Sequence, residues 1–265
     1  MNRSITNVIR LIMDELMPPI LRDSKLIMYP VFLIWTGGRH TRAIQLMDHK
    51  KAAFGISNIT LRGKPRKRCF HFVTFYSKRD TDLNKKCLNR MRNMIYACSG
   101  TLLDVGAGKG YWLKAAMIRG YSVTACDLNN ALRVECPFVN GDVCNLPFQD
   151  NAFDVVTCTH TLEHVVELER AVSELKRVAK HMIIVVVPCQ RYNYLTLDGH
   201  VNFFPFKEKL TYYFRDMTVV CEKLGGDWLL MAQPEGDICN RVDRAQEATE
   251  NSELTFKDQP KQEDR

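Results

Sequence analysis

Short apolar segments that alternate with amphipathic ones are the feature that most restricts how this chain can fold. Helical spacing marks residues 109–119 and 165–180, and the apolar segments cover residues 101–105, 121–126, 138–141, 153–159 and 182–187. Strands that helices cover on both faces are apolar along most of their length, as in a parallel sheet. The alternation therefore predicts an α/β fold with a doubly wound, mostly parallel sheet and helices on both faces.

The segments that flank this core are less regular. Residues 4–16 have apolar side chains at helical spacing, whereas residues 36–68 lack a steady period and predict loops and short elements. Residues 81–97 predict a helix that starts near Asp80 or Thr81 and leads into the first strand.

Beyond the fifth apolar segment, the pattern predicts one more helix and a weak sheet edge. Helical spacing covers residues 206–224, and strand candidates remain only at 228–232 and 238–242, so we expect short or altered last strands. The chain then divides into an N-terminal helical and loop extension with a lid over residues 1–98, a ligand-binding domain over 99–243, and a disordered tail over 244–265.

Composition allows an ordinary cytoplasmic protein. The 265 residues can bury a full core without disulfides, and the ten cysteines are dispersed, with no CxxC pair and no histidine at metal-ligand spacing. We therefore expect reduced cysteines and no metal ion. The longest apolar run, residues 26–35, has about half of the roughly twenty residues that a membrane-spanning helix needs.

The first apolar segment ends in a turn with three closely spaced glycines, Gly106, Gly108 and Gly110. The first two let the backbone approach a ligand without a Cβ atom in the way, and the third permits close packing of the next helix. Ligands of open α/β sheets bind at such strand ends. Tyr111 stands where a dinucleotide fingerprint has its last glycine, and the segment lacks the GK[ST] ending of a phosphate-binding loop, which favours a ligand without pyrophosphate.

Acidic residues follow the next two apolar segments. Asp127 ends the second, where a carboxylate can accept hydrogen bonds from both hydroxyls of a ribose. Asp142 and Val143 follow the third and place a carboxylate and a backbone N–H beside an adenine position. The fourth segment ends at Thr159 and His160, at the same edge of the predicted sheet.

In this order, the segments LLDVGAGKG, VTACDLN and NGDVCNLPFQDNAFDVVTCTHTLEHV, with an apolar strand that ends at Pro188, resemble the class I S-adenosylmethionine-dependent methyltransferases, in their small-molecule branch. The resemblance covers roughly residues 99–190 and implies a Rossmann-like domain that binds S-adenosyl-L-methionine. The residues implied to contact this cofactor are Asp104, Gly106, Ala107, Gly108, Gly110, Asp127, Leu128, Asp142, Val143 and Thr159.

A base helps methyl transfer when the acceptor is a hydroxyl, and histidine offers one near neutral pH. His160 and His200 are the candidate catalytic residues, whereas the position of His164 at a helix start favours a structural or capping role. We expect the loop around His200, with residues 79–82 and 191–194, to select the acceptor. A hydroxylated small molecule, a sugar or a lipid-linked glycan is the expected substrate.

Two other functions are compatible with the sequence. The net charge of +7 and the basic run at residues 64–68 suggest an RNA methyltransferase, although no RNA-binding module is recognisable. A scaffold protein that binds the cofactor without chemistry would keep the same glycines and aspartates. We expect no nucleic-acid partner and, through residues 4–35, a peripheral contact with the inner membrane surface. The oligomeric state stays open.

Overall fold

A seven-stranded sheet forms the centre of the molecule in the computed structural model, which describes residues 12, 17–47, 80–95, 100–192, 195 and 199–234. Its strands are β1 Thr101–Val105, β2 Ser122–Asp127, β3 Phe138–Asn140, β4 Phe153–Thr159, β5 Ala179–Pro188, β6 Met217–Leu224 and β7 Asp227–Pro234. Their spatial order is β3-β2-β1-β4-β5-β7-β6. The first five are parallel, and β7 runs antiparallel to both β5 and β6. The predicted fold class is confirmed.

Helices pack on both faces of this sheet, and three more form an N-terminal extension with a small core of its own. They are α1 Pro19–Arg22, α2 Lys25–Trp35, α3 His40–Met47, α4 Lys85–Met94, α5 Tyr111–Ile118, α6 Leu168–Val178 and α7 Lys207–Thr211, with 3₁₀ segments at Leu162–His164 and Tyr212–Phe214.

Successive residues of a strand point to opposite faces of a sheet, and β1 shows the result. Leu103 faces a core that includes Leu175 of α6, whereas Leu102 faces a second core that includes Leu88 of α4 and Leu113 of α5. All these side chains are buried. Because both faces of β1 are covered, its carboxyl end is the part of the strand that can meet a ligand.

The helix predicted over residues 206–224 is wrong beyond its first turn. Only α7 is α-helical there, and Met217–Leu224 forms strand β6. The β-branched residues Thr218, Val219 and Val220 suit a strand, and their backbone groups pair with β7. The edge hairpin is therefore longer than expected, and the candidate strand at 228–232 lies within it. The candidate at 238–242 lies outside the described residues.

The N-terminal extension contains more helix than the sequence predicts. The apolar run at 26–35 is α2, and α3 is a short element within the segment 36–68, for which the sequence predicts loops and short elements. Met28 and Phe32 of α2 form a small core with Ala43 of α3. The helix predicted at 4–16, the basic run at 64–68 and the tail at 244–265 lie outside the described residues, apart from Ile12. No helix in the described part of the chain is both long and apolar enough to cross a bilayer.

The start of α4 corrects the predicted helix boundary at Asp80 or Thr81. Asn84 is the N-cap, and its side-chain oxygen accepts a hydrogen bond from Cys87 N at 2.9 Å. Its amide nitrogen donates to Leu224 O at 2.8 Å and to Asp227 Oδ2 at 2.7 Å. One buried side chain therefore ties α4 to the turn between β6 and β7.

The Asn84 side chain provides a test of this link. We expect Asn84→Ala to lower the free energy of unfolding by about 1–3 kcal/mol, because a helix cap is lost and buried polar partners stay behind. Urea unfolding measures the loss. The matched control is Asn93→Ala, on the exposed face of the same helix, which we expect to stay within about 0.5 kcal/mol of the parent. Equal effects of the two changes would contradict the structural role of Asn84.

Candidate functional site

The glycine turn after β1 follows the end of the strand closely and approaches β4. Gly106 N donates to Cys126 O at 2.8 Å, which joins the turn to β2. Gly106 has a φ of +73°, and a Cβ atom there would lie 2.0 Å from Thr161 Oγ1. A side chain at this position is therefore excluded by the protein itself, not by a ligand.

Gly108, two residues further along the chain, is not crowded by neighbouring atoms as Gly106 is. Its φ is +53°, and a Cβ atom placed on it would meet no described atom within 4 Å. The backbone here borders open space at the carboxyl end of β1, where the sequence predicts a ligand. Ala107 lies between the two glycines, and its N–H points to Cys126 O at 3.3 Å.

Asp127 lies at the end of β2 and is joined to the same turn. Its Oδ2 accepts a hydrogen bond from Gly108 N at 2.9 Å, and its Oδ1 accepts one from Asn129 N at 3.1 Å. Burial raises the pKa of this carboxyl, and these backbone hydrogen bonds oppose the increase. The predicted ribose-binding residue is therefore a buried acceptor beside the open side of Gly108.

Asp104 is the second buried carboxyl of this edge. It lies within β1, and Thr157 of β4 donates a hydrogen bond to its Oδ1 at 2.7 Å. Burial raises its pKa to about 7, the Thr157 hydrogen bond opposes this increase, and the charge of Asp127 adds to it. A positively charged ligand group beside Asp104 would stabilise the ionised form.

Asp142 and Val143 follow β3 at the same edge of the sheet. Asp142 Oδ1 accepts a hydrogen bond from Cys144 N at 2.9 Å, which forms a tight turn, and Val143 is buried. Leu128 contributes its carbonyl oxygen, which accepts a hydrogen bond from Asn140 Nδ2 at 2.7 Å. These residues lie side by side along the ends of β2 and β3, as the sequence predicts.

The chemistry of this edge fits the cofactor that the resemblance implies. Two buried carboxylates, Asp104 and Asp127, lie beside the glycine turn. They would repel a pyrophosphate, whereas they suit a ligand that carries hydroxyls and positive charge. The open side of Gly108 leaves room for such a ligand. An amino acid joined to a nucleoside through a sulfonium has these groups.

His160 is held as a cation between two carboxylates. Its backbone φ is +51°, Nδ1 lies 3.2 Å from Glu163 Oε1, and Nε2 lies 3.4 Å from Asp227 Oδ2. Burial alone would lower its pKa, but both carboxylates outweigh this effect and raise it to about 9. A protonated imidazole cannot accept a proton, so this environment argues against the predicted role as a base. Thr159, one residue earlier, ends β4 at the same edge.

His200 lies in the loop after β5 and is 4% exposed. Its Nδ1 is 2.7 Å from Oε1 of Gln190, and its ring centroid is 4.9 Å from that of His164. Glu163, His164 and His200 offer ligand atoms that all lie within 4.8 Å of one another. The sequence does not indicate this cluster, because His200 is far from the other two along the chain and the position of His164 at a helix start favours a structural or capping role.

Residues before the core also reach the site. Asp80 accepts hydrogen bonds from Lys109 Nζ at 3.3 Å and from Arg133 Nη1 at 2.8 Å. Arg22, the last residue of α1, donates from Nη2 to Tyr192 O at 3.0 Å in the loop after β5. Both contacts bring the extension against the carboxyl edge, where the sequence places the acceptor. Arg79 and Tyr194 lie outside the described residues.

The raised pKa of Asp104 predicts a specific loss of stability with pH. Its pKa of about 7 in the fold exceeds the ordinary 3.8, so its contribution is fully present below about pH 4 and is lost as pH rises through 7. We expect the stability of the wild type, relative to Asp104→Asn, to fall between about pH 5 and pH 8 in urea unfolding. Asp150→Asn, which changes an exposed carboxylate, is the control. A difference that is the same at both pH values would refute this pKa.

Comparison with known proteins finds matches to part of this chain. Residues 103–186 match the family model described as "Methyltransferase domain". A demethylmenaquinone methyltransferase of Paenarthrobacter aurescens is 37% identical over 86 residues, which are 30% of this chain and 34% of that protein. One of Thermobifida fusca is 38% identical over 97 residues, which are 32% of this chain and 41% of that protein. The chain therefore spans less than half the length of these two relatives.

One solved structure is similar to part of this chain. The 1,6-didemethyltoxoflavin-N1-methyltransferase of Burkholderia thailandensis, solved with bound 1,6-didemethyltoxoflavin and S-adenosylhomocysteine, has a TM-score of 0.48 to this chain and 17% sequence identity. The similarity covers 64% of this chain and 86% of that one.

Proposed function

We propose that this chain, whose residues 103–186 match the methyltransferase family model, transfers a methyl group from S-adenosylmethionine to a small-molecule acceptor. The single observation that carries the proposal is the pair Gly108 and Asp127. A backbone turn open to a ligand and a buried carboxylate are joined there by one hydrogen bond. Asp104 adds a second buried carboxylate at the same strand edge.

Each of these residues has a distinct task in the proposed reaction. Asp127 would accept hydrogen bonds from the ribose hydroxyls, Asp104 would hold the amino group, and Asp142 with Val143 N–H would contact the adenine. S-adenosylmethionine supplies a methyl group that is already activated by the positive charge on its sulfur. The protein therefore needs mainly to hold the acceptor in line with that methyl group and to exclude water. Thr159, at the end of β4, would lie beneath the reacting centre.

The described residues favour a lipid-linked acceptor. Ile20 is 81% exposed, and Leu26 and Ile34 of α2 are 87% and 81% exposed, whereas Met28 and Phe32 on the other side of α2 are buried. An apolar helix face that the described residues leave exposed suits contact with lipid at a membrane surface. The contact of Arg22 with Tyr192 brings this region beside the loop that would select the acceptor. We therefore propose a peripheral contact with the membrane through this face and a lipid-linked glycan, methylated at a hydroxyl, as substrate.

A quinone is the second candidate acceptor. The names of two relatives, both demethylmenaquinone methyltransferases, support it. An apolar quinone would enter from lipid as readily as a lipid-linked glycan would. Incubation with labelled donor and each acceptor class separately distinguishes the two, because label is transferred to only one of them.

Asp127 tests the donor site directly. We expect Asp127→Ala to weaken the binding of S-adenosylhomocysteine by about 10–100-fold in calorimetric titration, since hydrogen bonds to a charged group are lost. Asp127→Asn keeps an oxygen acceptor without the charge, so its affinity for S-adenosylhomocysteine should lie between those of Asp127→Ala and the wild type. Asp150→Ala removes an exposed carboxylate and should bind normally. Unchanged affinity of Asp127→Ala would contradict the assignment to the ribose.

Vesicles test the apolar face. We expect the wild type to sediment with phosphatidylglycerol-containing liposomes, and we expect the double variant Leu26→Ser/Ile34→Ser to lose most of this binding. Because both side chains are more than four-fifths exposed, the fold should not change. Ile118→Ser, which removes an equally exposed apolar side chain from α5, is the matched control and should bind as the wild type does. Equal binding by all three proteins would rule out this face as the membrane contact.

A further inference from the structure

We infer that Glu163, His164 and His200 bind one divalent transition-metal ion of the zinc type beside the carboxyl end of β4. One candidate ligand atom of each side chain lies within 4.8 Å of the other two. Two imidazoles and one carboxylate are a ligand set that zinc uses where a fourth position stays open for a small molecule. The sequence predicts no metal ion, because these ligands are separated along the chain. The fold brings them together.

The carboxylate of Glu163 is an independent indication of a missing cation. The residue is 1% exposed, and its Oε1 lies 3.2 Å from Nδ1 of His160. Its Oε2 is buried and has no hydrogen-bond partner among the described residues. A buried charged oxygen without a partner is costly, by about 1–3 kcal/mol or more. A metal ion within the cluster would supply the missing interaction.

The two imidazoles are oriented in the manner of metal ligands. Nδ1 of His200 lies 2.7 Å from Gln190 Oε1, an acceptor, so Nδ1 carries the proton and the lone pair is on Nε2. Nδ1 of His164 lies 3.5 Å from the carbonyl oxygen of Gly199 and has the same preference. A second ring nitrogen that donates to a protein oxygen is typical of histidines that bind metals.

Backbone hydrogen bonds hold the three ligands in one place. Val201 N and Asn202 N both donate to the carbonyl oxygen of Glu163, at 2.8 and 2.9 Å. The side-chain amide of Asn202 donates to Leu162 O at 2.9 Å. The loop with His200 is therefore fastened to the 3₁₀ segment with the other two ligands. Ligand atoms of a tetrahedral zinc ion lie about 3.3 Å apart. Side-chain rotations that move the ligand atoms by about 1 Å or more would therefore complete the site.

Three protein ligands leave one position for an acceptor oxygen, an assignment that rests on the proposed function. A hydroxyl bound there would release its proton to water more readily, because the cation stabilises the oxyanion. The oxygen lone pair would then attack the methyl carbon, and the electrons of the carbon–sulfur bond would return to sulfur. His160, which is held as a cation, would not be needed as a base.

Direct metal binding tests the inference without a methyl acceptor. Tag-free protein is treated with a chelator, dialysed, and titrated with Zn²⁺ by calorimetry and with Co²⁺ by visible absorption. We expect one ion per chain and a Co²⁺ spectrum of nitrogen and oxygen ligation. His164→Ala and His200→Ala should each lower the Zn²⁺ affinity at least tenfold. His181→Ala, which removes a half-exposed histidine near the amino end of β5, should bind as the wild type does.

The outcomes separate this inference from the proposed function. S-adenosylhomocysteine binding is measured on the same samples and also shows whether each variant is folded. Donor binding by a wild type that takes up no stoichiometric Zn²⁺ would overturn the metal site and leave the methyltransferase proposal intact. Zn²⁺ binding without donor binding would overturn the methyltransferase proposal and leave the metal site intact. Equal Zn²⁺ affinity of His181→Ala and the two cluster variants, all below the wild type, would place the ion elsewhere and overturn the site.

Discussion

The hydrogen bond from Gly108 N–H to the Asp127 carboxylate is the interaction on which the arrangement of the strand edge depends. It joins the turn after β1 to the end of β2, and Asn129 holds the other oxygen of the same carboxylate. A buried carboxylate is costly unless hydrogen bonds satisfy it, and these two backbone donors do so. One half of the edge, built from β1, β2 and β3, therefore combines a neutral turn with acidic acceptors.

Charged side chains determine the arrangement of the other half of the edge. His160, which takes a left-handed backbone conformation after β4, lies between Glu163 and Asp227. Asp227 begins β7 and stands opposite Pro188, so this cation connects the parallel part of the sheet to the antiparallel hairpin. Glu163 also accepts hydrogen bonds through its carbonyl oxygen from the loop that carries His200. The loop with His200 and the imidazole of His160 are therefore both held by Glu163, the loop through its carbonyl oxygen and the imidazole through its carboxylate.

The core could be predicted from the sequence because the pattern that indicates each strand lies within a few neighbouring residues. Each strand from β1 to β5 contains a short, mainly apolar segment, and strand ends of a parallel sheet meet at one edge, so Asp104, Asp127 and Asp142 could be assigned to one site. The hairpin could not be predicted as well, because β6 lies at the sheet edge and keeps a mixed pattern that also fits a helix. The cluster of Glu163, His164 and His200 depends on a loop that folds back onto a 3₁₀ segment, and no periodicity encodes such a contact.

The buried side chain of Asn84 has a consequence for how this protein tolerates change. Its amide binds Asp227 Oδ2, and the same oxygen lies 3.4 Å from His160, so a helix on the rear of the sheet shares a charged group with the reaction face. If the chain is the proposed methyltransferase, substitutions at the start of α4 would alter its activity from a position remote from the proposed ligand site. Random mutagenesis for altered acceptor preference should therefore find hits in this helix as well as in the loops that surround the ligand.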